Sequence, residues 1–354
     1  MSHLATAATH CLLFDVDHQL WGFGDNSSGE LGIGSWERID ELSLLNSERI
    51  EGKIACASQN SFLLKGTTLL ACGKNENRCL GLPNRRLKPT WTVLNYLPPI
   101  SSMSLSDSNF SLVVDTNGNA WGCGSNRSSP LGLRVENCSS FEFIPDLPAI
   151  ASSAAGSFHS LLLTDGGLVY GAGSNRKGQI GSKIVKETCH ALIENIPPMM
   201  RVFASNNNSV MISKDGEAWI AGDCNDGKEK PRKIENLPPI VDAAVSMSHI
   251  LLLDSRGIVW CFGANTYGQL GIGGAVLQCT EWSKVNSLPP ITKVETSFQY
   301  SIFVDYEGSL WRTGYSSNTA YESTHLPQKI VTTPQLHVPT GIPSRQKSAN
   351  KVVL

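Results

Sequence analysis

The sequence predicts an all-β protein, a seven-bladed β-propeller with about four antiparallel strands in each blade. The first observation behind this prediction is a repeat of nearly constant period along the chain. The second is a pair of short apolar strands, joined by a tight turn, in every repeat. The third is a proline-containing signature between repeats. Because a propeller is a closed ring, we expect the N-terminal and C-terminal strands to close it.

The repeat is most regular at residues 161–181. Leu161-Leu-Leu163 and Leu168-Val-Tyr170 are predicted strands on either side of a turn at residues 164–167. A glycine closes the second strand in all seven repeats, with successive spacings of 49, 51, 49, 49, 41 and 51 residues. These glycines are Gly24, Gly73, Gly124, Gly173, Gly222, Gly263 and Gly314. We expect them to be structural corners, since glycine permits positive φ angles and close approach between strands.

In chain order, the predicted repeats span about residues 1–51, 52–100, 101–150, 151–198, 199–240, 241–291 and 292–330. Residues 2–9 are expected either to pair beside the final blade or to form the first inner strand, and 326–330 to form an outer strand. Repeat five is the shortest and loses the loop closure at 227–230, and repeat seven is degenerate after its glycine. Residues 331–354 have little apolar periodicity, which predicts a mobile tail.

Prolines separate five pairs of repeats. Proline cannot donate a hydrogen bond to a strand ladder, so these segments are predicted to carry the chain from an outer strand to the next inner strand. The segments are Leu97-Pro-Pro-Ile100, Leu147-Pro-Ala-Ile150, Ile196-Pro-Pro-Met199, Leu237-Pro-Pro-Ile240 and Leu288-Pro-Pro-Ile291.

Composition and charge narrow the class of protein. The net charge of −2 argues against binding of duplex nucleic acid by the whole surface, although not against one local basic patch. The sequence has no apolar run long enough for a membrane helix and no visible secretory signal, so no membrane partner is expected. Ten cysteines without a Cys-x-x-Cys pair favour free thiols and an intracellular location, in the cytoplasm or the nucleus. The five Asn-x-Ser sequons, at Asn26, Asn109, Asn126, Asn137 and Asn207, would then carry no glycan.

Two further positions recur in register with the glycine. Tryptophans share the first, and we expect them to pack between neighbouring blades: Trp21, Trp121, Trp219, Trp260 and Trp311, with Leu70 and Tyr170 in the other two repeats. The second is mostly polar and precedes an apolar strand: His10, Asn60, Phe110, His159, Asn208, His249 and Tyr300. It is predicted to lie near a rim of the central shaft and to form hydrogen bonds, with partner contact as an alternative. Its three histidines would be too far apart around the ring to bind one metal ion.

No catalytic motif is present. The sequence has no Gly-x-Ser-x-Gly and no His-Glu-x-x-His, and the repeated glycines are not followed by the third glycine and helix of a nucleotide-binding loop. Turn carboxylates at Asp115, Asp165, Asp215 and Asp254 are expected to bond the local backbone. We therefore predict neither an enzyme nor a cofactor or metal site.

The order apolar strand, turn, Trp/Tyr-Gly-x-Gly-x-Asn and x-x-Gly-Gln-Leu-Gly resembles the repeat of the regulator of chromosome condensation, the Ran guanine-nucleotide exchange factor. The resemblance covers about residues 5–330 and implies a seven-bladed propeller. It does not imply one function, because the family includes exchange factors, ubiquitin-ligase targeting modules, a plant ultraviolet photoreceptor and a bacterial protein inhibitor of β-lactamases. The photoreceptor's Gly-Trp-Arg-His-Thr motif is absent here. Binding another protein is the property that these members share.

Basic residues mark loops in three consecutive repeats. Arg78, Arg127 and Arg176 each follow an asparagine, so equivalent loops would present them side by side on one face, supported by Arg85, Arg86 and Lys177. Ordinary solvated charge is one interpretation, and an arginine arc for carboxylates or phosphates is the other.

The function predicted from these features is that of a non-catalytic adaptor or scaffold that binds a protein through loops on one face. A small GTPase and an acidic protein surface are the candidate partners. One alternative is a guanine-nucleotide exchange factor for a Ran-like GTPase, which inserts a β-wedge from an enlarged loop, although no repeat spacing here exceeds 51 residues. The other is association with chromatin or nucleic acid through a basic patch, which is not favoured.

Overall fold

The computed structural model describes residues 4–181, 189–225, 230–315 and 324–330. They form seven sheets, each made of four consecutive antiparallel strands in the order of the chain. The predicted seven-bladed propeller is confirmed. The expected tail at 331–354 and most of the divergent loop at 227–230 lie outside the described residues.

The four strands of each blade occupy successive positions from the innermost to the outermost. The innermost strands are β1 (Leu4–Thr6), β5 (Gly52–Ala57), β9 (Ile100–Leu105), β13 (Ile150–Ala155), β17 (Met199–Ser205), β21 (Ile240–Val245) and β25 (Ile291–Thr296). The second strands are β2 (His10–Phe14), β6 (Asn60–Lys65), β10 (Phe110–Asp115), β14 (His159–Thr164), β18 (Asn208–Ser213), β22 (His249–Asp254) and β26 (Tyr300–Asp305). The third strands are β3 (Leu20–Gly24), β7 (Thr68–Gly73), β11 (Ala120–Ser125), β15 (Val169–Gly173), β19 (Ala218–Gly222), β23 (Val259–Ala264) and β27 (Leu310–Gly314).

The outer strands differ most in length. They are β4 (Ile39–Asn46), β8 (Lys88–Val93), β12 (Asn137–Phe143), β16 (Ala191–Leu192), β20 (Arg232–Lys233), β24 (Gln278–Lys284) and β28 (Thr324–Lys329). A single 3₁₀ turn, Asp223–Asn225, follows β19 and is the one helical element among the described residues. None of the described residues forms a helix that is long and apolar enough to cross a membrane.

The core lies between neighbouring blades. Every residue of β22 is buried, because both faces of each sheet are covered by another blade. The middle of such a strand is apolar at consecutive rather than at alternate residues, as at Ile250-Leu-Leu-Leu253. Between blades 6 and 7, for example, Leu251 and Cys261 pack in one cluster with Val294 and Phe303.

Blades 1 and 7 close the ring. Leu4 of β1 packs in one cluster with Tyr300 and Ile302 of blade 7. Thr6 Oγ1 donates to the carbonyl of Thr296 at 3.1 Å, and the Tyr300 hydroxyl donates to the carbonyl of Ala7 at 2.8 Å. Of the two arrangements expected for the N-terminal residues, the first inner strand is therefore correct. The N-terminal strand stays in its own blade, and side-chain contacts with the last blade close the ring.

The recurrent glycines are corners that no other residue could form without strain. Gly173 has a φ of +100°, and a Cβ atom there would lie 2.3 Å from the carbonyl oxygen of Phe158. The same carbonyl accepts a hydrogen bond from the amide of Ser174 at 2.7 Å. The other six glycines have φ angles between +94° and +114° and meet an equivalent carbonyl.

The proline segments lead directly into inner strands. In five blades the inner strand begins at the buried apolar residue that ends the proline segment: Ile100, Ile150, Met199, Ile240 and Ile291.

Candidate functional site

The turns between the first and second strands of all seven blades meet at one end of the ring, which we call the upper face. The described parts of the loops between the third and outer strands lie at the same end. The turns between the second and third strands lie at the opposite end, the lower face. A central shaft of about 460 Å³ runs along the inner strands, and upper-turn residues such as Ala8, Ser157 and Met247 line it.

Hydrogen bonds join these seven turns into a continuous ring, which we call the upper rim. Each turn contacts the turn of the next blade, and the last contacts the first; in blade 5 the donor is Asn208, the residue of β18 that directly follows the turn. From blade 1 to blade 4, the donors and acceptors are Thr9 Oγ1 and the Ser58 carbonyl, the Ser58 amide and Asp107 Oδ1 (2.8 Å), and Ser106 Oγ and the Gly156 carbonyl (2.6 Å). From blade 4 to blade 7, they are the Ser157 amide and the Asn206 carbonyl (3.0 Å), Asn208 Nδ2 and the Ser246 carbonyl (3.4 Å), and Ser248 Oγ and the Phe298 carbonyl (3.0 Å). Ser297 Oγ of blade 7 donates to the Ala7 carbonyl of blade 1 (2.8 Å) and completes the ring. The upper rim is therefore a rigid platform.

Three large apolar side chains project from the upper rim. Phe158, Met247 and Phe298 are 46%, 53% and 42% exposed, although their turns are fixed by the ring of hydrogen bonds. Tyr267 and Tyr315, on the adjacent loops of blades 6 and 7, stack with ring centroids 5.9 Å apart. Exposed apolar side chains on a hydrogen-bonded surface are candidates for contact with a partner protein.

A buried asparagine organises the loops of the upper face. In blade 3, Asn126 Nδ2 donates to the carbonyls of Leu133 and Val135, and Asn126 Oδ1 accepts from the amide of Leu131 at 2.9 Å. Leu131 thereby enters the core between blades 3 and 4. Asn26, Asn75, Asn175 and Asn265 accept the equivalent amide bond in their blades. We did not predict this role, although an asparagine five residues before a buried leucine or isoleucine is visible in the sequence.

The two sequons at Asn26 and Asn126 are part of the same arrangement. Both side chains are buried and take part in loop hydrogen bonds, so neither is accessible for a glycan in the folded protein.

The predicted arginine register is wrong for Arg78. Arg127 and Arg176 directly follow the organising asparagine, but in blade 2 this asparagine is Asn75 rather than Asn77. Arg78 stands instead at the position of Gly178, with a φ of +61°, and its Nε is buried without a hydrogen-bond partner among the described residues.

The other basic residues of the predicted set differ in their surroundings. Arg85 and Arg86 are exposed farther along the Arg78 loop, and Lys177 lies 3.4 Å from the carboxylate of Asp223. Arg127 is the member of the predicted set that lines a cavity, a cleft of about 310 Å³ between blades 3 and 4.

The recurrent polar position lies just beneath the upper rim, buried between blades. Each histidine Nε2 forms a hydrogen bond with a serine hydroxyl of the next blade: His10 with Ser61 (2.7 Å), His159 with Ser209 (2.8 Å) and His249 with Ser301 (2.9 Å). Each of these serine hydroxyls also donates to a loop carbonyl. Ser61 donates to that of Glu30, Ser209 to that of Gln179 and Ser301 to that of Gln269. Since the serine proton goes to the carbonyl, the histidine Nε2–H is the donor. Burial lowers the pKa of His10 and His249 to about 3 and that of His159 to about 4, so all three are neutral.

The other members of this position are buried at the same level. Asn60 donates to Cys79 Sγ, Asn208 accepts from the amide of Cys224, and the Tyr300 hydroxyl bonds blade 1. No three potential metal ligands come together among the residues that the structure describes.

The tryptophans occupy the seams between blades. Trp121, for example, is partly buried against the cluster that blades 2 and 3 share. Its Nε1 donates to Asp115 Oδ2 at 3.2 Å, while Asp115 Oδ1 accepts from the amides of Asn117 and Asn119. Burial alone would raise the pKa of Asp115, but these bonds and one from the Asn119 side chain hold it below its ordinary value.

Trp21, Trp260 and Trp311 form the same indole bond to Asp15, Asp254 and Asp305, and Trp219 bonds Glu217. As expected, the carboxylates of Asp115 and Asp254 also accept hydrogen bonds from backbone amides of their own turns. The expectation is wrong for Asp165 and Asp215, because Thr164 and Ser213 hold the turn position in blades 4 and 5.

Charges in the shaft wall compensate one another. Asp242 accepts from Arg201 at 2.8 Å and from Lys293 at 3.0 Å, and Lys293 also lies 3.0 Å from Glu295. Burial raises the pKa of Glu295 against the opposing attraction of Lys293. This ladder joins blades 5, 6 and 7 and gives the shaft no strong net charge there.

Three segments of the chain match a known repeat family. Residues 150–179, 240–269 and 256–304 match the regulator of chromosome condensation (RCC1) repeat. The Protein RCC2 homolog of Xenopus laevis is 30% identical over 134 residues, which are 36% of this chain and 26% of that protein. The X-linked retinitis pigmentosa GTPase regulator of Homo sapiens is 27% identical over 140 residues, 37% of this chain and 13% of that protein. The chain therefore spans about a quarter of the first relative's length and about an eighth of the second's.

The whole ring resembles a solved structure. Prp20p from Saccharomyces cerevisiae aligns with a TM-score of 0.80 over 94% of this chain and 91% of its own, at 19% sequence identity. At this identity the likeness shows a common fold.

Proposed function

Starting from a seven-bladed propeller built of RCC1-type repeats, we propose that this chain is a non-catalytic adaptor or scaffold that binds a partner protein through its upper face. The observation that carries the proposal is the exposure of Phe158, Met247 and Phe298 on a hydrogen-bonded upper rim.

Rigid apolar side chains make efficient anchors. Binding normally orders loops and side chains at a cost in free energy, and a platform that is already ordered avoids part of that cost. Aromatic anchors surrounded by polar groups are also typical of the residues that dominate binding energy. The serine-rich turns and the loop arginines of the upper face supply such a polar surround.

The names of the similar proteins support a protein partner. One relative is named a GTPase regulator, and the Prp20p structure is described with binding properties to Gsp1p and histones. For this chain we propose a protein surface with an apolar centre and acidic groups. Eight of the ten cysteines are buried free thiols, which supports a location inside the cell.

The test is a comparison of captured proteins between two matched triple variants. The upper variant combines Phe158→Ser, Met247→Ser and Phe298→Ser. The control combines Val16→Ser, Leu168→Ser and Met200→Ser, at the lower face, where the three side chains are 40%, 49% and 46% exposed. Both triples replace similarly exposed apolar groups, so nonspecific adhesion should fall equally.

We expect proteins captured by the wild type to be lost by the upper variant, by about tenfold or more, and kept by the control. Retention by a folded upper variant, or loss with the control alone, would contradict the proposal.

A further inference from the structure

The cleft of about 310 Å³ between blades 3 and 4 has features of a recognition pocket. Three segments of the upper face form it: the upper turn of blade 3, the loop after β11 and the upper turn of blade 4. Arg127 and Phe158 both lie in its wall. The cleft therefore combines a guanidinium group with an exposed aromatic ring.

Its polar side chains are free to bind a ligand. Arg127 is exposed and forms no ion pair within the described ranges. The side chains of Asn109, Ser125, Ser128 and Ser157 also line the cleft, and none has a hydrogen bond to another described residue. Hydroxyl, amide and guanidinium groups together form a site rich in donors, which suits an anionic oxygen group.

One acidic residue lies in the wall, at the side of blade 2. Asp107 Oδ1 accepts from both the amide and the hydroxyl of Ser58, at 2.8 and 3.1 Å. These bonds hold the carboxylate toward blade 2. An anionic ligand is therefore expected at the Arg127 side of the cleft.

The next seam provides a natural comparison. Arg176 occupies the same loop position in blade 4, and Asn207 of blade 5 stands where Phe158 stands in blade 4. Lys177 beside it is already engaged with Asp223. Of these two seams, the one between blades 3 and 4 therefore combines an arginine without an ion pair with an aromatic ring, and the one between blades 4 and 5 does not.

We propose that this cleft binds an acidic side chain of an extended peptide segment in the partner, with an apolar neighbour of that residue packed on Phe158. The inference rests on the proposed function, because it names the chemistry that one part of the upper face recognises. Arg127 would bind the carboxylate bidentately, and the serine and asparagine side chains would complete its hydrogen bonds.

The experiment is a selection of peptides from a random dodecapeptide phage library on the folded wild-type protein. The best enriched peptide is then synthesised in three forms, with its acidic residue intact, as the corresponding amide and as phosphoserine. Binding is measured by fluorescence anisotropy for the wild type and for Arg127→Gln, Phe158→Ala and Arg176→Gln. Circular dichroism and melting temperature establish that each variant is folded.

We expect enriched peptides to share an acidic residue next to an apolar one. The amide form, Arg127→Gln and Phe158→Ala should each weaken binding by about tenfold, or about 1.4 kcal/mol, while Arg176→Gln should not. Tighter binding of the phosphoserine form would identify a phosphorylated segment as the source of the anion.

Failure to enrich acidic peptides, or an equal loss with Arg176→Gln, would overturn this inference. Either result would still be compatible with the proposed function if the upper triple variant loses the captured proteins.

Discussion

At the scale of single residues, backbone geometry rather than side-chain chemistry fixes the most regular feature of the chain. Gly173 and its six counterparts combine positive φ with a carbonyl contact that leaves no room for a Cβ atom. Gly66 also has a positive φ, of +60°, but a Cβ there would meet nothing within 4 Å. The two positions therefore differ both in how far φ lies from the left-handed α region and in the clash that a Cβ atom would meet.

We therefore expect Gly173→Ala to destabilise the protein more than Gly66→Ala. The left-handed backbone costs an alanine roughly 1–2 kcal/mol at Gly66. The φ of +100° at Gly173 lies outside the left-handed α region and disfavours an alanine more strongly. Gly173→Ala adds the overlap with the Phe158 carbonyl, which requires the corner to move. Urea unfolding measures both variants, and equal losses would show that the clash is relieved without cost.

The buried histidines predict acid sensitivity. Their folded-state pKa values of about 3 to 4 lie below the ordinary 6.5, so only the unfolded chain takes up their protons as the pH falls. Their contribution is complete above pH 6.5 and decreases below it, by about 2 kcal/mol per histidine at pH 5.

His249→Asn should make the free energy of unfolding less dependent on pH between 7 and 5, by about one bound proton. Asparagine is native at this position in blades 2 and 5, as Asn60 and Asn208. The slope of unfolding free energy against pH measures the effect. An unchanged slope would mean that His249 is not buried as a neutral side chain.

At the scale of elements, the loops of the upper face belong to the core. Leu131 lies in a loop, yet its side chain is fully buried between blades 3 and 4 because Asn126 holds its amide. Leu277 lies in the corresponding region of blade 6 and is 62% exposed. A loop position alone therefore does not indicate tolerance to substitution.

Leu131→Ala should cost about 2–5 kcal/mol of unfolding free energy, as in other large-to-small core substitutions. Leu277→Ala should change it by less than about 0.5 kcal/mol. Chemical denaturation of the two variants tests this difference. Similar values would show that the loop is not a structural part of the seam.

Sequence reasoning succeeded where a feature recurs. The seven glycines, the seam tryptophans and the proline segments repeat at one spacing, so their common role could be inferred without coordinates. Arg78 was misplaced because Asn75 and Asn77 both resemble the loop asparagine, and only hydrogen bonding distinguishes them. The bonds of the upper rim could not be predicted either, since they join differing turns of separate repeats, as Ser106 and Gly156 show. The cleft next to Arg127 depends on the same contacts between blades.

At the scale of the whole molecule, neighbouring blades of the ring are joined at several levels. Its blades are joined by buried clusters, by the upper rim and by the shaft ladder of Arg201, Asp242 and Lys293. Function is therefore expected to depend on which surface groups the ring presents rather than on a change of its shape.

We expect the protein to be a weak nucleotide-exchange factor for a small GTPase. No repeat spacing exceeds 51 residues, and the described parts of the upper loops contain no added strand that could act as a wedge. Release of fluorescent GDP from Ran should not be accelerated by catalytic amounts of the protein. Strong acceleration would instead favour the alternative function of guanine-nucleotide exchange.

The proposal that the upper face binds the partner is tested most directly by oxidative footprinting of the captured complex. Met247 on the upper rim and Met200 at the lower end of blade 5 are 53% and 46% exposed, so hydroxyl radicals should oxidise both in the free protein. In the complex we predict that oxidation of Met247 falls sharply while that of Met200 stays at its free rate. Protection of Met200 with Met247 still reactive would place the partner on the lower face and contradict the proposal.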